Sequence, residues 1–245
     1  MSRLVFIGTS DAFGAGGRRQ AAIFLETPAG GLLLDCAPTT GSGLAALEIP
    51  RDAVDAIAVT HFHADHFAGI PQLLIAARYE DRRAKPLVIA GPQGVEARVR
   101  RAAAGIGMAL EDHALGFPLD FRELAPGRFV DLGVARVDAF ATHHHPVSMP
   151  HGLRVEVGPR RIVYSGDTGW FDALPLATRG SDLCICECTF REPTFDYHLD
   201  YETLLERAPG LGSGRIVLTH LGSQMAGLRG RLALETADDG LTIAF

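Results

Sequence analysis

Short apolar runs alternate with longer stretches of helical periodicity along the chain. Apolar runs bounded by Gly, Pro or Asp are typical of buried strands, whereas apolar positions three and four residues apart are typical of helices. The order mixes hairpins with crossovers, which predicts two sheets sandwiched between helices. Residues 102–127 have no clear pattern and predict an irregular excursion. The predicted strands are 4–8, 22–26, 32–35, 56–60, 87–90, 134–141, 153–157, 162–165, 183–188 and 216–219, and the predicted helices are 43–47, 64–79, 92–104, 203–208 and 224–232.

The length and composition predict one domain. The chain has 245 residues, 47% of them hydrophobic, which is enough for one substantial core. No low-complexity linker interrupts the pattern. We therefore expect a single domain over residues 1–245.

The charge balance argues against a long nucleic-acid partner. Lys and Arg number 23 against 29 Asp and Glu, so the net charge is −6 with ten neutral histidines. A protein that binds many phosphates needs a basic surface. The sequence has no excess of basic residues to build one, and it has no Gly/Pro/Lys-rich arm. A small anionic substrate is compatible with this balance.

The first residues and the cysteines favour a cytoplasmic protein. The apolar run at 4–7 is too short for a signal peptide or a membrane span. Cys184, Cys186 and Cys188 alternate along one predicted strand, so they would share a face and pack as small apolar side chains. That arrangement suits a reducing compartment better than a disulfide framework.

Strand endings repeat between the two halves of the chain. The apolar segments 31–35 and 162–167 both run into an aspartate, and 56–61 and 215–220 both run into Thr-His. Two halves that end their strands in potential metal ligands predict a site at the seam where the strand ends meet.

The densest chemical pattern is the run from His61 to His66, which contains His63 and Asp65 and follows a predicted buried strand. Histidines two apart point the same way from an extended segment, and the last two residues follow on the turn into a helix. Imidazole and carboxylate groups are common zinc ligands. One loop could therefore serve two neighbouring metal ions.

A hexapeptide cannot complete two metal sites, because a catalytic zinc ion usually takes three protein ligands and keeps a position for water. The ends of later predicted strands supply further candidates. These are His143, His144 and His145 after the strand at 134–141, Asp167 after the strand at 162–165, and His220 after the strand at 216–219.

Together these residues resemble the metallo-β-lactamase fold superfamily, and within it the ribonuclease Z-like branch of phosphodiesterases. The resemblance spans nearly the whole chain, and its most specific part is the run from His61 to His66. It implies an α/β fold, a four-layer αββα sandwich of the metallo-β-lactamase type. The other matching segments are 6–9, 34–36, 164–168, 187–190, 198 and 218–220.

The resemblance also implies the ligands of two metal ions. Within the triple histidine, counting forward from Ala139 selects His144, whereas counting back from Gly152 favours His145; we take His144. Asp35 resembles an aspartate that holds a ligand histidine in one tautomer. The implied ligands are His61, His63 and His144 for the first ion and Asp65, His66 and His220 for the second, with Asp167 bridging.

The implied chemistry is hydrolysis. Two divalent ions about 3.5 to 4 Å apart lower the pKa of a shared water, so the expected nucleophile is a bridging hydroxide that Asp65 orients. His198 is the candidate proton donor to the leaving group, supported by Glu187. These two resemble the ribonuclease Z residues in its His-Glu-Ala-Thr and His-Ser-Thr motifs, although the match here is partial.

Three functions follow. The first is a phosphodiesterase for a nucleotide-like or other small phosphodiester, which rests on Glu187 and His198. The second is a hydrolase of a carboxylic substrate such as a lactone, thioester or lactam, and the third is a non-catalytic metal-binding protein. The mixed nitrogen and oxygen ligands suit zinc, although manganese or iron would also fit, and family likeness implies a homodimer.

Overall fold

Two seven-stranded sheets form the centre of the molecule in the computed structural model, which describes residues 2–111 and 115–245. The order of the first is β14-β1-β2-β3-β4-β5-β6 and that of the second is β13-β12-β11-β10-β9-β8-β7. The strands are β1 (Arg3–Gly8), β2 (Ala22–Thr27), β3 (Gly30–Leu34), β4 (Val54–Ala58), β5 (Leu87–Gly91), β6 (Leu119–Glu123), β7 (Val130–Asp131), β8 (Arg136–Ala141), β9 (His151–Val157), β10 (Arg160–Tyr164), β11 (Leu183–Glu187), β12 (Ile216–Thr219), β13 (Glu235–Thr236) and β14 (Thr242–Ala244).

Helices cover the outer faces of both sheets. In the described part of the chain, none is long and apolar enough to cross a membrane. The α-helices are α1 (Thr40–Ala46), α2 (Ala64–Phe67), α3 (Ile70–Tyr79), α4 (Val95–Gly105), α5 (Leu174–Thr178), α6 (Tyr201–Arg207) and α7 (Ser223–Ala226).

The two sheets have the same internal arrangement. In the first sheet, β14, β1, β2 and β3 pair antiparallel and β3 to β6 pair parallel. In the second, β7 to β10 pair antiparallel and β10 to β13 pair parallel. Parallel neighbours end at the same edge of a sheet, so each half brings several strand ends together, as the repeated strand endings predict.

Three apolar layers hold the sandwich. Side chains of both sheets interdigitate between them, with Leu4, Leu25 and Leu32 of one sheet and Leu153 and Ile185 of the other fully or almost fully buried. A second layer lies between the first sheet and α1, α3 and α4, and a third lies between the second sheet and α5, α6 and α7. This confirms the predicted four-layer αββα architecture.

The apolar runs located all ten predicted strands, with ends shifted by at most two residues. Four further strands were missed because they are short or half exposed. Residues 102–127 are not wholly irregular: β6 pairs parallel with β5 inside that region, so the prediction was wrong there. The side chains of β6 are intermediate or exposed, which leaves no continuous apolar run to detect.

Two helix predictions were wrong. The helix predicted over 64–79 is broken into α2 and α3 at Gly69, where an added Cβ would overlap the carbonyl oxygen of Ala37. The helix predicted over 224–232 ends as α7 at Ala226, and Gly227 and Gly230 follow, the latter with a φ of 68°. The five-residue α5 was missed because it is too short to show a helical period.

The layer between the sheets should dominate stability. Replacing the fully buried Leu25 by Ala removes methyl and methylene groups and leaves a cavity, so we expect a loss of about 2 to 5 kcal/mol in the free energy of unfolding. Leu176→Ala is the control, because that side chain is 71% exposed and should change stability by less than about 0.5 kcal/mol. Equal losses in urea unfolding would contradict this account of the core.

Candidate metal centre

The strand ends place the histidines and carboxylates at one edge of the sandwich. His61 follows β4, and the turn after it enters α2, which carries Asp65 and His66. In the other half, Asp167 follows β10 and His220 follows β12 with a φ of 54°. These residues are contributed by both sheets, so the site lies at the seam between the two halves.

A first group brings together His61, His63, His144 and Asp167. One ligand atom from each lies within 4.8 Å of all the others. Nδ1 of His63 is 3.1 Å from Nε2 of His61 and 3.0 Å from Nε2 of His144. Three imidazole nitrogens therefore converge on one point, as in a tetrahedral metal site.

A second group of the same size contains Asp65, His66, Asp167 and His220. Oδ2 of Asp65 is 3.3 Å from Nε2 of both His66 and His220. Asp167 belongs to both groups and divides its two oxygens between them. Oδ1 faces His66 at 3.2 Å, whereas Oδ2 faces His61 at 3.6 Å, which is the arrangement of a bridging carboxylate.

The buried polar atoms of this pocket fit metal ions. Nε2 of His66 and Oδ1 of Asp167 are buried 3.2 Å apart, and neither makes a well-directed hydrogen bond in the described structure. Burying such atoms unpaired is costly, and a cation between them would satisfy both. The donor set of imidazole nitrogens and carboxylate oxygens is one that zinc accepts.

The outer nitrogens of the histidines fix which atom faces the pocket. Nδ1 of His144 donates to the carbonyl oxygen of Tyr197 at 2.9 Å, and Nδ1 of His66 donates to Asp35 at 2.7 Å. Nδ1 of His61 lies 2.9 Å from the hydroxyl of Thr60, which itself donates to Asp35 and so must accept from the imidazole. In all three residues Nε2 is therefore the nitrogen that faces the pocket, where it would bind a metal once it is deprotonated.

Asp35 organises this outer layer from the end of β3. It is fully buried and has a φ of 59°, an uncommon value for a residue other than glycine. One oxygen accepts the backbone N–H of Thr60 at 2.7 Å, and the other accepts from His66. The same carboxylate thus fixes the backbone of Thr60, just before His61, and the orientation of the His66 ring.

Charges inside the pocket perturb its acids and bases. Burial disfavours ionisation of Asp167, but the neighbouring positive charges of His220 and His66 hold its pKa well below the usual range. Burial lowers the pKa of His61 well below its ordinary value, and the charge of His66 lowers it further. His61 is therefore a neutral imidazole, the form that binds metals, beside an ionised carboxylate.

Glu187 and His198 form a hydrogen-bonded pair beside the two groups of potential metal ligands. Oε1 of the fully buried Glu187 accepts from Nδ1 of His198 at 2.7 Å and from the backbone N–H of Thr168 at 2.8 Å. The His198 ring stacks on His220, with centroids 5.6 Å apart. Burial lowers the pKa of His198, but the charge and hydrogen bond of Glu187 outweigh this effect and raise it above its ordinary value.

Thr189 links the Glu187–His198 pair to His220 of the second group; it lies in the matching segment 187–190, but no role was predicted for it. Its hydroxyl donates to Oε2 of Glu187 at 2.9 Å and lies 2.9 Å from Nδ1 of His220. Because the single hydroxyl proton goes to the carboxylate, the oxygen accepts from His220. Of the triple histidine, the structure brings His144 into the pocket and buries it, whereas His143 and His145 are exposed.

Two packed mixed sheets with these groups at their strand ends define a ribonuclease Z-like protein of the metallo-β-lactamase superfamily. The fold is shared with the Bacillus subtilis metallo-β-lactamase fold protein YhfI, at a TM-score of 0.77 with 21% identity over all of both chains. The chain belongs to the family described as Anti-Pycsar protein Apyc1, whose model matches residues 2–235.

Other relatives agree with this placement. Ribonuclease Z of Methanosarcina acetivorans is 26% identical over 91% of the chain and 88% of that protein, and ribonuclease Z of Shouchella clausii is 28% identical with the same coverage. The human short-form tRNase Z, ELAC1, has a TM-score of 0.79 with 24% identity over 99% of this chain and 98% of its own.

Replacing Asp35 by Asn should weaken metal binding, because the amide cannot support His66 as the carboxylate does. We expect a loss of about 10- to 100-fold in affinity, measured by competition with a chromogenic chelator. Asp182→Asn is the control, because Asp182 precedes β11 at the end of that strand away from the site; this variant should bind the metal with wild-type affinity. An unchanged affinity in D35N, with the fold verified by circular dichroism, would refute the supporting role of Asp35.

Proposed function

We propose that the protein is a metal-dependent phosphodiesterase that acts on a small, nucleotide-like phosphodiester. The observation that carries this proposal is the Glu187–His198 pair beside the metal-ligand groups. Attack of water on a phosphodiester leaves an alkoxide, which needs a proton, and Glu187 favours the protonated form of the His198 imidazole next to the pocket by hydrogen bonding to Nδ1 and raising the pKa of the ring. The names of the ribonuclease Z relatives support the same reaction class.

Two divalent ions, most simply zinc, would be held by the two groups of residues, with Asp167 shared. When bound, such ions lower the pKa of water and neutralise charge on phosphate oxygens. Side chains of the protein orient the attacking water and supply the proton to the leaving group. Asp65, with 7% of its surface exposed, has a carboxylate in the pocket that can also accept a hydrogen bond from the attacking water and orient it.

His198 completes the reaction on the leaving side. The attacking water first loses one proton to solvent; its oxygen then forms the new bond to phosphorus, the bond to the leaving oxygen breaks, and the electron pair of that bond stays on the leaving oxygen. His198 then gives its proton to the leaving oxygen from Nε2, the nitrogen that no described residue occupies. Glu187 holds Nδ1 and so fixes both the orientation and the charged form of the ring.

The charge of the protein supports a small substrate. A net charge of −6 repels a long polyanion, whereas a single phosphodiester is met locally by the metal ions. We infer that cleavage of transfer RNA, the activity that the name tRNase Z gives to ELAC1, is not the main activity of this chain.

A substrate panel tests the reaction class. The zinc-loaded protein should hydrolyse bis(p-nitrophenyl) phosphate and nucleotide phosphodiesters far faster than thioester, lactone or lactam substrates. Asp65→Ala should abolish this activity, because it removes a carboxylate that faces both His66 and His220. The variant should remain folded. Activity confined to the carboxylic substrates, or near-normal turnover in D65A, would overturn the proposal.

The proton-donor role of His198 depends on the leaving group. For a dinucleoside monophosphate, whose leaving group is an alkoxide, His198→Ala should lower kcat by about 10²- to 10⁴-fold. For bis(p-nitrophenyl) phosphate the loss should be much smaller, because nitrophenolate leaves without a proton. Equal losses on both substrates would show that His198 acts only by supporting the pocket.

A further inference from the structure

An open groove lies on the outer face of the second sheet, between α5 and the strands β9 and β10. The smaller of its two parts has a volume of about 230 Å³, and the larger has a volume of about 430 Å³. The two parts share Arg154, Leu176 and Ala177 and are therefore continuous. An apolar cavity of about 150 Å³ already holds a benzene molecule, so the groove has room for an extended small molecule.

Most of this groove is remote from the metal-ligand groups. Asp167 follows the C-terminal end of β10, whereas Arg161, which lines the smaller part, lies at the beginning of that strand. The larger part runs back along the sheet to Thr142 and the exposed His143. The groove is thus a separate surface feature that approaches the rim of the metal centre at one end.

The smaller part of the groove is cationic, although the protein as a whole is acidic. Three arginines line it, Arg154, Arg161 and Arg179, against the single carboxylate of Glu156. Arg161 lies 3.8 Å from one oxygen of Glu156, whose other oxygen pairs with Arg136 at 3.0 Å. Arg179 is exposed and has no ion pair within residues 2–111 and 115–245. Two guanidinium groups are therefore weakly compensated at this end of the groove.

Arg154 is held in place at the junction of the two parts. Its Nε and Nη2 donate to Oδ2 of Asp138 at 3.0 and 2.6 Å, and its guanidinium lies 5.6 Å from the centre of the Phe140 ring. Asp138 is only 2% exposed, so this contact fixes the guanidinium from beneath. Nη1 has no hydrogen-bond partner among the described residues and can donate to an anion.

The larger part of the groove is mainly apolar. Phe140, Phe171 and Ala173 contribute to its walls, and Arg154 is the one Lys, Arg, Asp or Glu among the described residues that line it. Leu176, which belongs to both parts, is 71% exposed although it is a large apolar side chain. A cationic end that continues into an apolar surface suits a ligand with one charged group and an apolar body.

We propose that this groove binds an organic anion with an apolar body, of the class of arylalkyl carboxylates. The carboxylate is bound by Arg154, Arg161 and Arg179, because guanidinium groups match carboxylate oxygens with paired N–H donors. The apolar body extends over Leu176 towards Phe171. The proposal does not depend on the proposed hydrolysis, since these residues belong neither to the metal-ligand groups nor to the Glu187–His198 pair.

Three probes separate the contribution of charge from that of apolar contact. In isothermal titration calorimetry, the zinc-loaded protein should bind 4-phenylbutanoate saturably. The neutral 4-phenylbutanamide and the ringless butanoate should each bind at least about 10-fold more weakly, because each lacks one of the two interactions. Absence of saturable binding, or an affinity for either comparison probe equal to that for 4-phenylbutanoate, would overturn the proposal.

Arg179→Gln locates the site. Loss of this charge should raise the Kd of 4-phenylbutanoate by about 10-fold and leave kcat on bis(p-nitrophenyl) phosphate unchanged. Arg101→Gln is the matched control, because it removes the same charge from an exposed position on α4, which packs on the first sheet. An R179Q variant that binds 4-phenylbutanoate as tightly as R101Q does would refute the role of the groove.

Leu176→Ala tests the apolar contact, and its exposed position makes loss of folding no obstacle. The variant should bind 4-phenylbutanoate about 3-fold more weakly and butanoate as the wild type does. A carboxylate bound to the zinc ions would behave differently: it would inhibit hydrolysis competitively, and its affinity would not change in R179Q or L176A. That result would place the anion at the metal centre and overturn the proposal.

Discussion

The arrangement of the centre depends on one buried carboxylate. Asp167 has 3% of its surface exposed, and its two oxygens face two different sets of histidines. A carboxylate this deeply buried is stable only with positive charge around it, whether from histidine protons or from metal ions. Because those histidines come from both sheets, the same electrostatic requirement holds the two halves of the sandwich in register at their strand ends.

The sequence predicted the fold and the groups of potential ligands for a physical reason. Largely buried strands such as β4 and β12 leave apolar runs, and the polar residue at the end of each run stands out. Exposed edge strands such as β6 leave no such signal. The choice among His143, His144 and His145 was open from spacing alone, because it depends on which ring the turn buries.

The roles of groups that act through a hydroxyl or a carbonyl were not predicted. Thr189 and the carbonyl oxygen of Tyr197 hold histidine nitrogens, and although Thr189 lies in a matching segment, neither a hydroxyl nor a backbone carbonyl shows from sequence which nitrogen it will meet. Glu187 was easier to recognise, since a lone carboxylate in a buried strand is costly without partners. The structure provides those partners as His198 and two backbone N–H groups.

A close backbone contact at Gly169 bears on how such a protein can diversify. An added Cβ there would overlap the carbonyl oxygen of Asp196, so any side chain would displace the segment that leads to His198 or the one that follows Asp167. The neighbouring loop at 193–196, in contrast, carries exposed side chains such as Phe195 that support no part of the core. Selection could therefore exchange those exposed side chains and alter which molecule is accepted, while the hydrolytic residues pass unchanged from one descendant to the next.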